Sequence, residues 1–298
     1  MPLQFDLSTR PAILPLYFRA LTARKPGSFS GDEEQVLASV TLHNQPIDRA
    51  LLRAYREVCG FAPGQYLPAT YPFVLAMPLQ LKLLVSEAFP FPVLGVVHTG
   101  NRITQHRPLR DDDVMEIRCD LCPPVAVKRG YEFELITSVR VAGDLVWECV
   151  STLLSRAQHQ QRPKSRGASA GQAGGVPDLS EATSTTWWVA ADTGRRYASI
   201  SGDRNPIHLC APTAKLFGFP RAIAHGMWTK ARCLAALETE TFAGALPDRF
   251  TLDVAFIKPV FLPTEVCFQS QQGDHTTVFS VTSVGGKRAH LTGSLVHD

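Results

Sequence analysis

The stretch GYEFELITSVRVAGDLVWECVSTLLSR (residues 130–156) carries the pattern on which the fold prediction rests. Its residues alternate between two faces, one of which carries Phe133, Leu135, Thr137, Val139 and Val141. A period of two with many β-branched residues is typical of a strand. Ala142-Gly143-Asp144 has the composition of a tight turn. The stretch is therefore predicted to form two antiparallel strands.

A second stretch, HTTVFSVTSVGGKRAHLTGSLVHD (residues 275–298), repeats this pattern with Gly285-Gly286 at the turn. Another strand-like segment precedes each of the two stretches: GNRITQHRPLRDDDVMEIRCDL (residues 100–121) and TLDVAFIKPVFLPTEVCFQSQ (residues 251–271). The two halves of the chain thus resemble distant copies of each other. Each is predicted to contain three long strands in a meander.

One long helix is predicted before each meander. HGMWTKARCLAALETE (residues 225–240) has apolar residues at helical spacing and Gly244 beyond its end. Residues 72–87 of the first half are almost wholly apolar, which predicts a helix buried nearly all round. A long helix wrapped by an antiparallel sheet, occurring twice, is an α+β arrangement. Pairing of the two sheets edge to edge would cover their edge strands.

The segment from residue 156 to residue 186 differs in composition from the rest of the chain. It is rich in Gln, Ser, Gly and Ala and nearly lacks large apolar side chains, so it has no face to bury. We therefore predict a flexible linker over 156–186. An N-terminal domain is predicted over 1–155 and a C-terminal domain over 187–298.

Composition excludes several classes of protein. The chain has 298 residues with 45% hydrophobic and 19% charged residues, a usual globular mixture. Lys and Arg (30) barely exceed Asp and Glu (27), and no dense basic run accompanies the excess, so nucleic-acid binding is not expected. Charged residues and prolines interrupt the most apolar region, residues 73–97, so no membrane span is predicted.

The cysteines indicate a reducing compartment. Seven is an odd number spread along a mid-sized chain, which fits reduced thiols better than a disulfide framework. Cys119 and Cys122 form one C-x-x-C pair, but no second pair follows at zinc-site spacing, so buried or half-buried thiols are expected rather than a metal site. The N-terminus lacks a basic region followed by an uninterrupted apolar stretch. We therefore expect a cytoplasmic protein.

The stretch YASISGDRNPIHLCAPTAKLFGFPRAIAHGM (residues 197–227) holds the candidate chemistry. Asn205 and Pro206 are favourable N-cap and first-turn residues, which places His208 in the first turn of a short helix that Gly218 would close. Gly202 allows the chain to bend, so the Asp203 carboxylate can fold back toward the imidazole. Considered without its neighbours, Asp203 would be interpreted as a hydrogen-bond acceptor in a turn, and His208 as a capping or core residue.

The octapeptide Ser201-Gly202-Asp203-Arg204-Asn205-Pro206-Ile207-His208, with Ala214 after five further residues, resembles the signature of the MaoC-like, or hydratase 2, family. Ile223-Ala224-His225-Gly226-Met227 extends the resemblance, which covers the second half of the chain. The family contains (R)-specific enoyl-CoA hydratases and 3-hydroxyacyl-thioester dehydratases. The resemblance implies a double hot-dog fold, in which two antiparallel sheets each wrap a long helix and pack as a pseudo-dimer.

For function, the resemblance implies a hydro-lyase of fatty-acid metabolism acting on acyl-CoA or acyl-ACP without metal or redox cofactor. Asp203 and His208 would hold the catalytic water and act as acid and base in syn addition or elimination. An enolate-like oxygen also needs stabilisation, and the backbone N–H of Gly226 at a helix start is the implied donor. Asn205 would fix the loop and bond Asp203, whereas His225 fits a structural role and a substrate contact equally well.

The first half departs from the motif. Residues 67–72 take the place of Ala-His-Gly-Met, and no Gly-Asp-x-Asn-Pro-x-His precedes them, so the first copy is predicted to be non-catalytic. A non-catalytic scaffold that binds acyl thioesters and a hot-dog thioesterase are the rival functions. The sequence does not determine the acyl chain length, the choice between CoA and acyl carrier protein, or the physiological direction of the reaction. It does not determine the oligomeric state either, and it is compatible with a homodimer.

Overall fold

The structure, a computed structural model, describes residues 2–29, 36–156, 179 and 182–298. Its elements in chain order are β1 (Leu3–Leu7), α1 (Ile13–Thr22), β2 (Ala38–Gln45), α2 (Arg49–Cys59), α3 (Tyr71–Val85), β3 (Val97–Gln105), β4 (Met115–Leu121), β5 (Val125–Val127), β6 (Gly130–Val141), β7 (Asp144–Arg156), β8 (Thr183–Val189), α4 (Thr193–Ser201), α5 (Pro206–Leu209), α6 (Ala211–Leu216), α7 (Gly226–Ala236), β9 (Phe250–Phe256), β10 (Thr264–Gln272), β11 (Thr276–Ser283) and β12 (Ala289–His297). This mixture of helices and mainly antiparallel strands confirms the α+β class.

The described residues divide into two compact units that are not contiguous in sequence. The first unit takes its residues from Met1–Pro46, Leu75–Asn101 and Asp113–Ala173. The second takes them from Ile47–Val74, Arg102–Asp112 and Gly174–Asp298. Most of the predicted linker over 156–186 lies outside the described residues, although residues 183–186 belong to β8. The predicted domain limits stay a prediction.

Each unit contains the predicted meander. In the first unit the strand order is β1-β2-β4-β6-β7, followed by residues 97–101 of β3, with β5 paired to β6. In the second unit it is β9-β12-β11-β10-β8. The meander strands β4, β6 and β7, and likewise β10, β11 and β12, are antiparallel neighbours. Strands β2 and β8, which the sequence analysis did not identify, pair with the first strand of each meander.

The predicted turns form as expected. Ala142 (φ 50°) and Gly143 (φ 89°) join β6 to β7, and Gly285 (φ 82°) and Gly286 (φ 72°) lie between β11 and β12. Two successive residues with positive φ match the right-handed twist of a hairpin. The turn chemistry therefore fixes where each long hairpin reverses.

The two predicted long helices are α3 and α7. Helix α3 is buried along nearly its whole length, as its apolar sequence predicts. In α7, all residues but Gly226 and Arg232 are buried, and a π-helical turn over Leu237–Thr241 continues it. The buried ammonium group of Lys230 donates to the carbonyl of Leu252 in β9 at 3.0 Å, which fixes α7 against its sheet.

Helices α2 and α4 are a further part of the internal repeat. Each follows a strand of its half, and each ends at a glycine in the left-handed conformation, Gly60 (φ 81°) and Gly202 (φ 77°). Within the second unit, α2 lies against α4 and α7. The indole N–H of Trp228 in α7 donates to the carbonyl of Val58 in α2 at 2.8 Å. A helix from the first half of the sequence thus supports the helices of the second.

Cys119 and Cys122 have the burial that was expected from their position in a strand-like segment. All seven cysteines are free, with Cys119 buried in β4 and Cys122 half-buried beside it. Burial raises the pKa of Cys119 to about 12 and that of Cys122 to about 11, so both remain protonated at neutral pH. In the part of the chain that the structure describes, no helix is long and apolar enough to cross a membrane.

Candidate active site

Asp203 lies directly after α4, where Gly202 turns the chain. The Gly202 N–H donates to the carbonyl of Ala198 at 3.0 Å in a left-handed helix end. One carboxylate oxygen of Asp203, Oδ1, accepts the backbone N–H of Asn205 at 3.2 Å. Asp203 therefore forms the turn that the sequence suggested. Its other oxygen, Oδ2, lies 3.8 Å from Nε2 of His225.

Asn205 and His208 occupy the start of α5. The Asn205 side chain accepts the Ile207 N–H at 3.4 Å, and Pro206 is the first helical residue, as predicted. The predicted bond between Asn205 and Asp203 also forms, although its donor is the backbone N–H rather than the side-chain amide. His208 is 8% exposed, and its Nδ1–H donates to the carbonyl of Ile223 at 2.8 Å. That bond leaves the lone pair on Nε2.

One local expectation is wrong, because α5 ends at Leu209 and Gly218 does not close it. Cys210 adopts an extended conformation (φ −161°, ψ 167°) and separates α5 from α6. Gly218 lies after α6 instead, in the left-handed conformation. The helix breaks at Cys210 because it caps the next helix, whose second residue is a proline.

His225 is the N-cap residue of α7 and only 2% exposed. Its Nε2–H donates to the backbone carbonyl of Asp203 at 3.0 Å. Its ring stacks on that of His208 with 3.7 Å between centroids and 27° between planes. Among the described residues, its Nδ1 has no hydrogen-bond partner. These contacts favour a supporting role for His225, because it holds both Asp203 and His208 in place.

Gly226 is the first residue of α7, so its N–H precedes the first bond within the helix. A Cβ at this position would lie 2.9 to 3.1 Å from three ring carbons of Phe256 in β9. A substitution at Gly226 first meets Phe256, and the role of the N–H toward substrate stays a prediction.

Burial controls the protonation of the two histidines. Desolvation lowers the pKa of His208, opposed by the charge of Asp203 and by the bond to the Ile223 carbonyl. Desolvation, together with the adjacent His208, lowers the pKa of His225 to about 3. Both imidazoles are therefore neutral at neutral pH. The site then holds one carboxylate and the Nε2 lone pair of His208, which are two proton acceptors.

The same residues are where a metal ion could be held. One donor atom from each of Asp203, His208 and His225 lies within 4.8 Å of the others, and no other such group occurs among the described residues. The His225 Nε2–H is already engaged with a carbonyl and its Nδ1 is buried. Only Asp203 and His208 are then available as metal ligands, whereas a catalytic zinc site uses three protein ligands. The set suits a water molecule held by two acceptors better.

Two tyrosines outside the motif of residues 201–208 also support the site. Tyr197 of α4 is 2% exposed and its ring lies 4.9 Å from that of His225. Tyr55 of α2 is fully buried, 6.3 Å from the Tyr197 ring, and donates to the Thr70 hydroxyl at 2.8 Å. Tyr55 in α2 thus contacts Tyr197, which in turn contacts His225 of the histidine pair.

A repeated spacing could have revealed these tyrosines. Tyr55 precedes Gly60 by the same interval that separates Tyr197 from Gly202. Phe61 then follows Gly60, at the position where Asp203 follows Gly202. Phe61 is 6% exposed and stacks on Tyr55 at 6.2 Å. The first copy therefore has an apolar ring where the second has its carboxylate.

Comparison with known proteins identifies the family to which the chain is similar. Residues 169–293 match the family model of the MaoC-like domain. The chain is 36% identical over 257 residues to 3-hydroxyacyl-thioester dehydratase X of Mycobacterium tuberculosis, covering 86% of this chain and 88% of that protein.

Solved structures agree with the fold. The crystal structure of HtdX of M. tuberculosis is similar with a TM-score of 0.72 and 35% identity, over 86% of this chain and 98% of that one. A MaoC-like dehydratase from Phytophthora capsici has a TM-score of 0.67 at 18% identity, over 87% and 94% of the two chains. An M. tuberculosis protein with a double hot-dog fold has a TM-score of 0.53 at 13% identity, over 84% and 92%. The fold is thus a double hot-dog, and the chain belongs to the MaoC-like dehydratase family.

Proposed function

We propose that the chain is a hydro-lyase that interconverts a (3R)-hydroxyacyl thioester with the corresponding 2-enoyl thioester and water. The observation that carries the proposal is the pairing of the Asp203 carboxylate with the His208 imidazole in one small volume, where a carboxylate oxygen and a ring nitrogen lie within 4.8 Å of each other. The similar M. tuberculosis protein, 36% identical, is a 3-hydroxyacyl-thioester dehydratase. The likeness extends over both halves of the chain.

The protonation states suit the binding of one water molecule. The Asp203 carboxylate and the Nε2 lone pair of His208 both accept hydrogen bonds, so each can take one O–H of the same water. The oxygen lone pair of that water then points away from both groups, toward C3 of an enoyl thioester. Restricting the water in this way supplies orientation as well as basicity.

In the hydration direction, the water oxygen bonds to C3 while one of its protons passes to the Asp203–His208 pair. A proton returns from the pair to C2 on the same face, which gives syn addition. Dehydration is the reverse: a proton leaves C2, the C3–O bond breaks, and the leaving hydroxyl takes up a proton to depart as water. The two groups share both transfers.

Negative charge develops on the thioester carbonyl oxygen as the C2 proton moves. The N–H of Gly226 begins α7, so it adds the favourable end of the helix dipole to an N–H without an acceptor inside the helix. We assign it as the oxyanion donor. His225 and Asn205 position the pair, through the Asp203 carbonyl and the Asp203 carboxylate respectively.

The substrate is proposed to be an acyl-CoA or acyl-ACP of fatty-acid metabolism. The first copy is proposed to be non-catalytic, because Phe61 stands where the second copy has Asp203. Seven free thiols support a cytoplasmic location. The competing functions are a scaffold without activity, which needs no paired proton acceptors, and a thioesterase, which would direct the water to the carbonyl carbon instead of C3.

An assay with crotonyl-CoA separates the three functions. The hydratase is expected to remove the ultraviolet absorbance of the conjugated enoyl thioester, release no free thiol, and yield the (3R)-hydroxy product on chiral analysis. Release of thiol as the absorbance falls would indicate a thioesterase. Binding of the thioester with neither change, across a panel of acyl lengths on CoA and ACP, would identify a scaffold.

A further inference from the structure

A basic groove lies in the second unit, next to the candidate active site. It has a volume of about 250 Å³ and is lined by residues of the segment before α7, the β9–β10 loop, the β11–β12 turn and the adjoining ends of β10, β11 and β12: Arg221, Phe261, Thr264, Ser283, Lys287, Arg288 and His290. Arg221, Lys287 and Arg288 are exposed. This described lining contains three cationic side chains and no carboxylate. Such a set attracts an anion.

The Arg221 side chain is held in place at the groove. Its Nη1–H donates to the carbonyl of Pro263 at 3.3 Å, and its guanidinium carbon lies 5.8 Å from the centre of the Phe261 ring. A guanidinium fixed on one side keeps its other N–H groups available, and less rotamer entropy is lost when it binds. The Arg221 guanidinium is therefore preorganised to bind a phosphate group.

The β11–β12 turn supplies the other two cations. The Arg288 N–H donates to the Ser283 hydroxyl oxygen at 3.1 Å, and the Ser283 N–H donates to the Arg288 carbonyl at 2.8 Å. These are backbone bonds of residue 288, so they hold the turn and do not use the guanidinium. Because the Ser283 oxygen accepts there, its O–H proton can be donated to a ligand.

The groove is connected to the catalytic pair by a short segment of chain. Ile223, whose carbonyl accepts from His208, forms a bridge with Phe261 of the groove. Arg221 precedes Ile223 by two residues, a span of at most about 7 Å. A substrate with its thioester at His208 and its phosphates some distance along a flexible arm could therefore occupy both places.

We propose that this groove binds the phosphorylated nucleotide of coenzyme A when the acyl group occupies the Asp203–His208 site. The inference rests on the proposed function. The nucleotide portion of CoA carries three phosphate groups on a small molecule, which matches three cations around one compact groove. An acyl carrier protein instead presents one phosphodiester and an extended acidic surface, which a groove of this size matches less well.

Binding of adenosine 3′,5′-bisphosphate tests the site without any catalysis. Isothermal titration calorimetry with this nucleotide is expected to show binding that Lys287→Ala/Arg288→Ala weakens about tenfold, since a hydrogen bond to a charged group is worth about one such factor. Lys128→Ala/Arg129→Ala is the matched control, because these exposed residues form a Lys-Arg pair at the β5–β6 turn. The proposal would be overturned if the two double variants lost the same affinity for the nucleotide, or if the unaltered protein did not bind it.

Kinetics with truncated substrates test the same site during turnover. The double variant at 287 and 288 is expected to raise KM for crotonyl-CoA about tenfold with kcat unchanged, and to leave crotonyl-pantetheine, which has no phosphate, unaffected. A rise in KM with crotonyl-ACP alone would assign the groove to the carrier protein and refute the nucleotide proposal. Absence of activity on every thioester would refute the proposed function while the nucleotide titration still reports on the groove.

Discussion

His225 makes the free energy of unfolding depend on pH in a way that can be calculated. Burial lowers its pKa from the ordinary 6.5 to about 3. In the unfolded chain the imidazole becomes protonated below about pH 6.5, while in the native protein it stays neutral until about pH 3. Between these values the unfolded state binds more protons, so stability falls as the pH falls.

The magnitude follows from the two pKa values. Each pH unit in this range costs about 1.4 kcal/mol, so acidification to about pH 5 removes about 2 kcal/mol through His225 alone. The limit, reached near pH 3, is about 5 kcal/mol. His208 contributes in the same direction, because burial lowers its pKa as well.

The assay is urea denaturation at several pH values between about 8 and 5. His225→Gln removes the titrating group and keeps an amide that can donate to the Asp203 carbonyl. The variant is expected to lose about 2 kcal/mol less than the unaltered protein on going from about pH 8 to about pH 5. His275→Gln, at an exposed position, is the control. If His225→Gln and the unaltered protein lose the same free energy, the buried neutral imidazole is refuted.

Three further predictions concern the packing around the site. Gly226→Ala should lower the free energy of unfolding in urea by about 1 to 3 kcal/mol, because the new Cβ would lie 2.9 Å from the Phe256 ring; full stability, or no recovery on adding Phe256→Leu, would contradict this. Trp228→Phe should cost about 1 to 3 kcal/mol in the same assay, because the buried Val58 carbonyl loses its donor; an unchanged midpoint would show that the bond contributes nothing. Residues 176–298 expressed alone should aggregate and be inactive, since they lack α2; a soluble, active fragment on gel filtration would refute the need for the first half.

Some of the fold was accessible from sequence because the signals are local. The alternation along residues 130–156 predicts β6 and β7, and consecutive turn residues with positive φ predict their reversal at Ala142 and Gly143. The apolar run in residues 72–87 likewise predicts α3. Each of these depends on side chains within one or two elements.

Helix α2 has local signals in the sequence, because Asp48 caps its start, Gly60 ends it and its buried residues recur at helical spacing. Its contact with α7 has no such signal, since nothing local shows that Val58 accepts from Trp228, 170 residues away. The break at Cys210 was also missed, since Gly218 gave a more familiar helix end than a cysteine that caps the next helix.

At the site, the sequence predicted which side chains meet but not how they are held. Gly202 and the Asn205-Pro206 pair are local signals, and they place Asp203 and His208 as expected. The stacking of His225 on His208 and the contact of Phe256 with Gly226 arise from packing between elements. No spacing along the chain records either of them.

The central claim is that the Asp203 carboxylate takes part in proton transfer, and the hydration rate of Asp203→Asn tests it most directly. An asparagine at this position keeps an oxygen to accept the Asn205 N–H, so the turn should survive while the proton acceptor is lost. We predict that kcat with crotonyl-CoA falls about 10² to 10⁴-fold, with the circular dichroism spectrum and urea midpoint unchanged. Turnover close to that of the unaltered protein in a correctly folded Asp203→Asn variant would contradict the assignment.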